Sequence, residues 1–500
     1  MTDYDAVVIG AGNGGLTAAL TLAGQGAATL LLERHNIPGG CATSFVRGRF
    51  EFEVALHQLS GMGTETQPGP LRDMLGRLGI LDQLTFVQME NLYRVVVPER
   101  LDLLLKADRS EAVAALKDRF PREAEAIDRF FDLVYRFCNE VVGVFYLRDP
   151  EASREKYPLF SQYALKPSAE VLDAHFSDPL LKTAVGIYWS YMGLPPSRLT
   201  FFDLAMVLWA YIEFKPFHIR GGSQALSIAL VDGFRRAGGT TRFNCGARQI
   251  LVSDGRVRGL VTDSGDEIRT DFIISNAGTL TTYRELIDPA QVPDGVFDRL
   301  GTASVGTSAF TLYIGLDCEP SDVGIEYATN FITTSTDFDH VYDTMKTLQA
   351  PRAALFTCYD VDDPAFSPQG ACQAAMVGLQ YAHPWADVPP HQYAETKYRL
   401  ADEFLKLAEA AFPDIRSHIE ELEIATPLTH MRYLGHPGGA IYGVDHYAKD
   451  AQFFSDLRPA IGGLYMSGAW AGSGGFQPTL GSGTGAARAV IKALDERGGS

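Results

Sequence analysis

The sequence is poor in the residues that build metal centres and disulfide frameworks. Its 500 residues include only 11 histidines, and His340, His383 and His391 lack the spacing of metal ligands. The cysteines are few and scattered, with no C-x-x-C pair, which is typical of free thiols in a reducing compartment. They are Cys41, Cys138, Cys245, Cys318, Cys358 and Cys372. We therefore expect neither a metal site nor a disulfide framework.

Positive charge is also scarce. The chain has 43 lysine and arginine residues against 61 aspartate and glutamate residues, so its formal net charge is -18. A surface this acidic repels polyanions, and we expect no nucleic-acid partner. The first strand is predicted to begin at about residue 4, which leaves no room for a signal or transit peptide. We expect a cytoplasmic protein.

A long uninterrupted hydrophobic run is missing too. The most apolar stretch, residues 199–217, is short and is interrupted by Asp203, Glu213 and Lys215, so it is a poor membrane span. Its aromatic density fits a helix that lines a lipophilic tunnel or lies against a bilayer surface, and a buried helix without a ligand fits equally well. The aromatic residues that would make a peripheral membrane contact are Phe201, Phe202 and Trp209.

A dinucleotide-binding pattern opens the chain. Residues 6–9 form an unbroken apolar run, as in a strand buried on both faces, and Gly10, Gly12 and Gly15 then give G-x-G-x-x-G. Apolar residues recur at helical spacing over 16–23. In this pattern the first glycine permits a tight turn, the second lets the backbone approach a pyrophosphate, and the third lets the helix pack on the strand. The start of the helix offers its unpaired N–H groups to the phosphates.

A second strand completes this unit. Residues 29–32 are apolar again, and Glu33 follows at the tip of the strand. Its carboxylate can accept hydrogen bonds from ribose hydroxyls and would repel the 2′-phosphate of NADP. A strand, glycines, a helix, a strand and an acidic residue in this order predict a dinucleotide with a plain adenosine ribose.

The next segment carries the resemblance to a family. Gly39 and Gly40, followed by residues 41–44, predict a second phosphate-facing turn that opens a short helix. The resemblance is to the FAD-dependent carotenoid desaturases, carotenoid isomerases and retinol saturases. It rests on the order of Glu33, the Pro38-Gly39-Gly40 turn, the aromatic segment 50–53 and Leu56-His57.

The resemblance implies an FAD site. In that family the paired glycines touch the FAD pyrophosphate and ribityl region, and the loop corresponding to residues 55–58 passes close to the flavin ring. The turn at 275–277 lies near the cofactor, with the backbone near Ala247 beside adenine. The implied cofactor-binding residues are Gly10, Gly12, Gly14, Gly15, Glu33, Arg34, Gly39, Gly40, Thr43, Ala55, Leu56, Ala247, Asn276, Ala277, Gly468, Ala469, Gly475, Pro478 and Thr479.

His57 is the candidate catalytic residue. The resemblance places it near the flavin ring, where an imidazole that titrates near neutrality can act as a general acid or base. The alternative is that His57 only hydrogen-bonds the backbone of its loop.

The C-terminal block has a flavin-facing pattern. Residues 464–467 predict a short strand, and 482–494 predict a helix whose start is crowded with Gly481, Gly483 and Gly485. Small residues there would let a flat ring system lie against the positive end of the helix. No further strand or acidic ribose ligand follows, so the block does not predict a separate NAD(P) site.

The predicted fold class is α/β, and 500 residues correspond to roughly two to four domains. The resemblance implies a discontinuous Rossmann-like FAD-binding domain of the glutathione-reductase type, made of residues 1–64, 215–280 and 425–500. Helical periodicity over 65–214 predicts a helical insertion that faces substrate or membrane. Residues 281–424 are assigned by the resemblance to a sheet-containing substrate domain.

The function that the resemblance implies is an FAD-dependent oxidoreductase. It would act on carbon–carbon bonds of a lipophilic isoprenoid or polyene, by saturation, desaturation or reduced-flavin isomerisation. Because no second nucleotide fold is predicted, the hydride would come from the substrate, a transient donor or a partner reductase. An external electron donor or acceptor is therefore expected.

Two other classes stay open. A flavin amine oxidase shares the N-terminal unit, and Trp470 would then belong to an amine-binding cage. Many flavoproteins of this fold place Asp directly after the glycine that matches Gly468, whereas this chain has Ala469 and Trp470 there. A non-catalytic prenyl-lipid binder of the GDP-dissociation-inhibitor type shares the fold and carries no FAD.

Overall fold

A computed structural model describes residues 3–448, 459–472 and 474–498. The strands are β1 (Ala6–Ile9), β2 (Thr29–Leu32), β3 (Ser44–Arg47), β4 (Phe50–Glu53), β5 (Phe86–Gln88), β6 (Asn91–Val97), β7 (Leu101–Lys106), β8 (Phe217–Ile219), β9 (Thr240–Arg242), β10 (Ala247–Ser253), β11 (Arg256–Thr262), β12 (Glu267–Arg269), β13 (Ile273–Ser275), β14 (Ser308–Leu316), β15 (Thr329–Thr333), β16 (Ala353–Cys358), β17 (Cys372–Gln380), β18 (Ile419–Ala425) and β19 (Leu464–Met466).

Among the described residues are sixteen α-helices, six of which follow one another between β7 and β8. They are α1 (Asn13–Gly24), α2 (Pro70–Arg77), α3 (Arg109–Arg119), α4 (Ala124–Val141), α5 (Pro158–Tyr163), α6 (Ser168–His175), α7 (Pro179–Gly186), α8 (Phe201–Glu213), α9 (Gly222–Arg236), α10 (Thr279–Thr281), α11 (Val296–Thr302), α12 (Phe338–Thr344), α13 (His383–Ala386), α14 (Tyr393–Glu409), α15 (Pro427–Leu434) and α16 (Phe476–Gly498). Within the described residues, no helix combines the length and apolar character needed to cross a membrane.

A five-stranded parallel sheet forms one side of the molecule. Its order is β19-β13-β1-β2-β9, and all of its strand pairs are parallel. Every residue of β1 is buried, as its unbroken apolar run predicted. Ala6 and Val8 pack against α1, α9 and α16, whereas Val7 and Ile9 pack against the antiparallel sheet β10-β11-β12. The predicted strand, helix and strand at the N-terminus are confirmed.

A seven-stranded mixed sheet forms the other half. Its order is β18-β14-β17-β16-β15-β6-β7, and only the β15–β6 pair is parallel. The predicted helical character of residues 65–214 is therefore wrong for 91–106. Leu101, Leu103 and Leu105 are buried and alternate with more exposed residues, so β7 follows the period of two that is typical of strands.

Helices cover both faces of this mixed sheet. On one face, α4, α6, α7 and α8 build a core with residues of β6, β7, β15 and β16. On the other face, α14 packs against β14, β16 and β17. Both α4 and α14 are amphipathic, and α4 confirms the helical periodicity predicted for its part of 65–214.

Two local predictions are wrong. Residues 41–44 open no helix, because the chain turns at Gly39 and Gly40 and Ser44 then starts the β3–β4 hairpin. The C-terminal helix begins at Phe476 and not at 482, so Pro478 lies in its first turn, where a missing N–H costs nothing. The division into three parts at 64, 214, 280 and 424 stays a prediction, and residues 449–458 of the third FAD-binding segment lie outside the described residues.

Candidate active site

A cavity of about 2430 Å³ runs between the two sheets. One end is bordered by the loops that follow β1, β13 and β19 at their carboxyl ends, which is where open α/β sheets bind ligands. The other end is bordered by α8 and by residues of the seven-stranded sheet. The cavity therefore joins a polar, glycine-rich groove to an apolar chamber.

The glycine-rich loop after β1 is shaped by close backbone contacts. Gly10 has a φ of 91°, which favours glycine. A Cβ on Gly15 would overlap the carbonyl oxygen of Gly10, so α1 can lie on β1 only with glycine there. A Cβ on Gly12 would lie 2.7 Å from Nδ2 of Asn276, and one on Gly14 would lie 2.6 Å from the backbone nitrogen of Gly468. These glycines let the ends of three parallel strands meet.

Glu33 holds this loop from the tip of β2. Its Oε2 accepts a hydrogen bond from the backbone N–H of Ala11 at 2.7 Å, and its Oε1 accepts one from the backbone N–H of His35 at 2.8 Å. The side chain lines the cavity. Each carboxylate oxygen can accept further bonds, so the geometry leaves room for the predicted ribose contact.

The groove fits a dinucleotide. The N-terminus of α1 has no side-chain cap, and its residues Asn13 and Gly14 line the cavity. Oδ1 of Asn13 is buried without a hydrogen-bond partner among the described residues. Uncapped backbone N–H groups at a helix start are a ready site for a pyrophosphate.

The glycines at the start of α16 serve a purpose that the sequence analysis did not foresee. A Cβ on Gly483 would overlap the carbonyl oxygen of Gly14 and Oγ1 of Thr17, so this glycine allows α16 to pack closely on α1. Gly481, in contrast, lines the cavity with open space beside it. The prediction that all of these small residues make room for a ring system is therefore wrong for Gly483.

Glu53 organises the loop that the resemblance places beside the flavin. Its Oε1 accepts hydrogen bonds from the backbone N–H groups of Ala55 and Leu56 at 3.0 and 2.9 Å, and from Oγ of Ser223 at 2.7 Å. Its Oε2 accepts one from the backbone N–H of Ser223 at 2.6 Å. Burial raises the pKa of Glu53, and the hydrogen bonds from Ser223, Leu56 and Ala55 oppose this rise. The carboxylate ties the loop to the first turn of α9.

His57 projects from the same loop into the cavity. Its Nδ1 lies 3.2 Å from Oη of Tyr359. Burial lowers the pKa of His57 to about 4, so the imidazole is neutral near pH 7. A neutral ring can donate or accept a hydrogen bond, but it does not supply the proton of an imidazolium. The catalytic role and the scaffold role of His57 both stay predictions.

Gln58 joins the loop to the aromatic wall of the chamber. Its Oε1 accepts hydrogen bonds from the hydroxyls of Tyr188 and Tyr191, and its Nε2 donates to the carbonyl of Leu92. Its own carbonyl accepts a bond from Oη of Tyr211 at 3.0 Å. The loop at 55–58 is thus fixed at both ends, by Glu53 and by Gln58.

The apolar chamber is built on α8. Phe202, Met206, Val207 and Ala210 of this helix line the cavity, whereas Phe201 is fully buried in the core. Of the alternatives left open for residues 199–217, the structure gives the cavity-lining helix. The prediction that Phe201 and Trp209 contact a bilayer is wrong, because Phe201 is 0% and Trp209 only 7% exposed.

Most of the predicted site residues border this one cavity. Gly15 and Leu56 do not, since Gly15 lies at the α1–β1 contact and Leu56 is buried in the core. Their contacts, and those of the residues that do border it, remain predictions. The predicted residues that border the cavity are Gly10, Gly12, Gly14, Glu33, Arg34, Gly39, Gly40, Thr43, Ala55, His57, Ala247, Asn276, Ala277, Gly468, Ala469, Gly475, Pro478 and Thr479.

Comparison with known families identifies the chain. Residues 14–491 match the family described as flavin containing amine oxidoreductase. The chain belongs to this family. As a member of it, the protein is a flavin-dependent oxidoreductase whose cofactor is FAD.

Relatives that are similar in sequence confirm the resemblance that the motifs indicated. The all-trans-retinol 13,14-reductase of Macaca fascicularis is 26% identical over 481 residues, which cover 88% of this chain and 77% of the relative. The chloroplastic prolycopene isomerase of Daucus carota is 26% identical over 469 residues, which cover 88% of this chain and 72% of the relative.

Solved structures share the fold of this flavin oxidoreductase. An oxidoreductase from Methanosarcina mazei superposes with a TM-score of 0.67 at 17% identity, covering 98% of this chain and 99% of the other. Putrescine oxidase gives 0.65 at 14% identity, with coverage of 98% and 99%. The Rab GDI of Plasmodium falciparum gives 0.55 at 10% identity, with coverage of 98% of each chain. At these identities the likeness concerns the fold alone.

Sequence reasoning missed Glu53. Glu51 and Glu53 alternate with Phe50 and Phe52 along β4, so a period of two places both acids on the exposed face. Glu51 is exposed as expected, but the strand ends at Glu53 and the turn carries that side chain inward. No sequence signal marks this change of direction.

One group of potential metal ligands lies away from the cavity. Among the residues that the structure describes, Oδ1 of Asp317 and Nδ1 of His418 are 2.9 Å apart, with the sulfur of Cys318 close by. None of the three borders the cavity. The group has no part in the flavin site.

Proposed function

We propose that this flavin oxidoreductase acts on a carbon–carbon double bond of a lipophilic polyene or isoprenoid, by saturation, desaturation or isomerisation. The observation that carries the proposal is the continuity of the cavity. A groove that fits FAD opens directly into a chamber lined by Phe202, Met206, Val207 and Ala210. The relatives named above, a retinol reductase and a prolycopene isomerase, support a polyene as the substrate class.

The chain would hold FAD through the discontinuous Rossmann-like domain set out above. The ends of β1, β13 and β19, with Glu33 beside them, would hold its adenosine and pyrophosphate. The loop at 55–58, fixed by Glu53 and Gln58, would support its ring. When bound, the flavin supplies hydride transfer.

The chamber would do its work by excluding water and by holding the substrate in position. Apolar side chains of α8 and of the mixed sheet would contact a polyene along the chamber. His57, neutral near pH 7, would hold its loop through the Tyr359 hydroxyl and would not transfer a proton.

The electrons would come from, or go to, an external partner. Within the described residues, the α16 block provides no second strand-helix-strand unit with an acidic ribose ligand. The flavin would therefore be reduced by the substrate, by a transient donor or by a partner reductase.

A peripheral membrane contact would bring lipophilic substrate to the chamber. Tyr146 is 59% exposed and borders the cavity, and its neighbour Leu147 is 75% exposed. The contact would be made here and not by the buried aromatic residues of α8. Flotation with neutral vesicles would test it, because the double variant Tyr146→Ser/Leu147→Ser should bind less than the wild type, and equal flotation would contradict it.

The test of the function is a set of anaerobic incubations with chemically reduced enzyme. All-trans-retinol and prolycopene are offered separately in these incubations, and putrescine is offered to the oxidised enzyme in air. Products are identified by mass and by chromatographic retention, and amine oxidation also by the release of hydrogen peroxide. We expect a reduced or isomerised polyene and no reaction with the amine. Amine turnover with no change in either polyene would replace the proposal with an amine oxidase, in which Trp470 lines the amine site. A colourless protein that cannot be reconstituted with FAD would overturn both enzyme classes.

A further inference from the structure

Asp203 is an anomaly in the apolar chamber. It is the one charged residue among those of α8 that border the cavity, where Phe202, Met206 and Val207 are its neighbours. A carboxyl group in such a wall is costly unless it has a partner. Burial raises the pKa of Asp203, and the hydrogen bond from Thr200 and the charge of His446 oppose this rise.

Helix capping accounts for only half of this carboxyl group. Thr200 is the N-cap of α8, and its hydroxyl accepts a hydrogen bond from the backbone N–H of Asp203 at 3.1 Å. The same hydroxyl donates to Oδ2 of Asp203 at 2.6 Å. Oδ1 has no hydrogen-bond partner among the described residues, although the side chain borders the cavity. An acceptor is therefore left facing the chamber.

The position of Asp203 is as informative as its chemistry. Tyr211, at the other end of α8, donates to the carbonyl of Gln58 in the loop that supports the flavin. Eight residues of α-helix separate Asp203 from Tyr211, which is about 12 Å along the helix axis. Asp203 thus lies at the opposite end of α8 from the residue that contacts this loop.

We infer that Asp203 is the binding site for a hydrogen-bond-donating group, a hydroxyl or an amine, carried at the far end of the lipophilic substrate. This inference rests on the proposed function and adds a requirement to it. The substrate should carry a polar group in addition to the double bond that meets the flavin. Such a group is separate from a hydroxyl that lies next to the reacting bond.

The test compares three probes that differ only at that end. They are all-trans-retinol, a ring-hydroxylated all-trans-retinol and the corresponding ring-aminated compound. Binding to the oxidised, FAD-loaded protein is measured by quenching of protein fluorescence, so no turnover is needed. A hydrogen bond to a buried carboxyl group should make the hydroxylated probe bind about tenfold more tightly than retinol.

The variants are Asp203→Leu and Asp203→Asn, with Glu213→Gln as the matched control. Glu213 is an exposed carboxylate on the same helix and does not border the cavity. Asp203→Leu should abolish the preference for the hydroxylated probe, and Glu213→Gln should keep it. Asp203→Asn keeps an oxygen for the Thr200 hydroxyl, so it preserves the cap. It should lower the preference for the aminated probe more than that for the hydroxylated one, because it removes charge and keeps an acceptor.

The outcomes separate this inference from the function on which it rests. Wild-type protein that binds retinol and the hydroxylated probe equally, or an Asp203→Leu variant with an unchanged preference, would overturn the inference alone. Wild-type protein that binds none of the probes would overturn the proposed polyene function together with the inference. If Asp203→Leu does not fold, the Asp203→Asn comparison decides, and equal effects on both polar probes would contradict the assignment.

Discussion

Replacing Glu53 by glutamine should loosen the loop at 55–58. The carboxylate presents Oε1 to Ala55, Leu56 and Oγ of Ser223, and Oε2 to the backbone N–H of Ser223. Every one of these partners is a donor. Glutamine offers one oxygen and one NH₂ group, so one side of the site must bring donor against donor.

The cost follows from which side is lost. If the glutamine oxygen stays at the position of Oε1, it keeps the hydrogen bonds from Ala55, Leu56 and Oγ of Ser223. The glutamine NH₂ group then faces the backbone N–H of Ser223. Two buried donors are left without an acceptor, at about 1–3 kcal/mol each before relaxation. Relaxation is limited, because Oε2 lies so close to Gly222 that a Cβ there would overlap it. We expect a loss of about 2–4 kcal/mol in the free energy of unfolding.

Denaturant unfolding of the FAD-loaded protein measures this loss, and FAD affinity is measured in parallel. Glu51→Gln is the control, since Glu51 lies two residues earlier on the same strand and is exposed. It should change the stability by less than about 0.5 kcal/mol. If Glu53→Gln is as stable as Glu51→Gln and retains FAD equally, the clamp assigned to Glu53 does not exist.

Three further predictions follow from the same structure. Gly15→Ala should displace α1 from β1, lower the melting temperature and weaken FAD binding. Gly24→Ala is the control and should be neutral or stabilising, because a Cβ on Gly24 meets nothing within 4 Å. Equal melting temperatures for the two variants would refute the close contact at Gly15. Glu33→Ala should raise the dissociation constant of FAD about tenfold or more in equilibrium dialysis, because the glycine-rich loop loses its acceptor, and unchanged affinity would contradict the role of Glu33. The melting temperature should fall as the pH drops from 6.5 to about 4, because histidines with folded pKa values of about 4 take up protons in this range only on unfolding. His218→Phe should make the melting temperature depend less steeply on pH. A melting temperature that does not change over this pH range would contradict the burial of these histidines. The histidines concerned are His57, His218, His430 and His436.

The nucleotide-binding half could be predicted because its signals are local. A buried strand, glycines at fixed spacing and a terminal acid all lie within residues 5–33, and each has one dominant physical reason. The parallel sheet of β1, β2 and β13 follows from that unit. Residues 476–481 were not predicted to belong to α16, although a proline such as Pro478 is well suited to a first helical turn.

The substrate half could not be predicted to the same depth, because its parts are distant in sequence. The β6–β7 hairpin joins a sheet whose other strands begin more than two hundred residues later, and no local pattern announces that pairing. Because the segments on both sides of the hairpin have helical periodicity, the hairpin was predicted to be helical as well. The inward turn of Glu53 was missed for a related reason, since the packing of the hairpin on α9 overrides strand alternation.

Different residues support the loop at 55–58 and line the substrate chamber. The loop at 55–58, which the resemblance places beside the flavin, is held by Glu53 and Gln58, and α8 reaches it by the hydrogen bond from Tyr211 to Gln58. The remaining cavity-lining residues of α8, such as Met206 and Asp203, face the chamber. Substitutions at those positions alter the shape and polarity of the chamber without removing an acceptor from the loop at 55–58. We therefore expect substrate preference to be changeable on the inner face of α8 while FAD affinity stays constant.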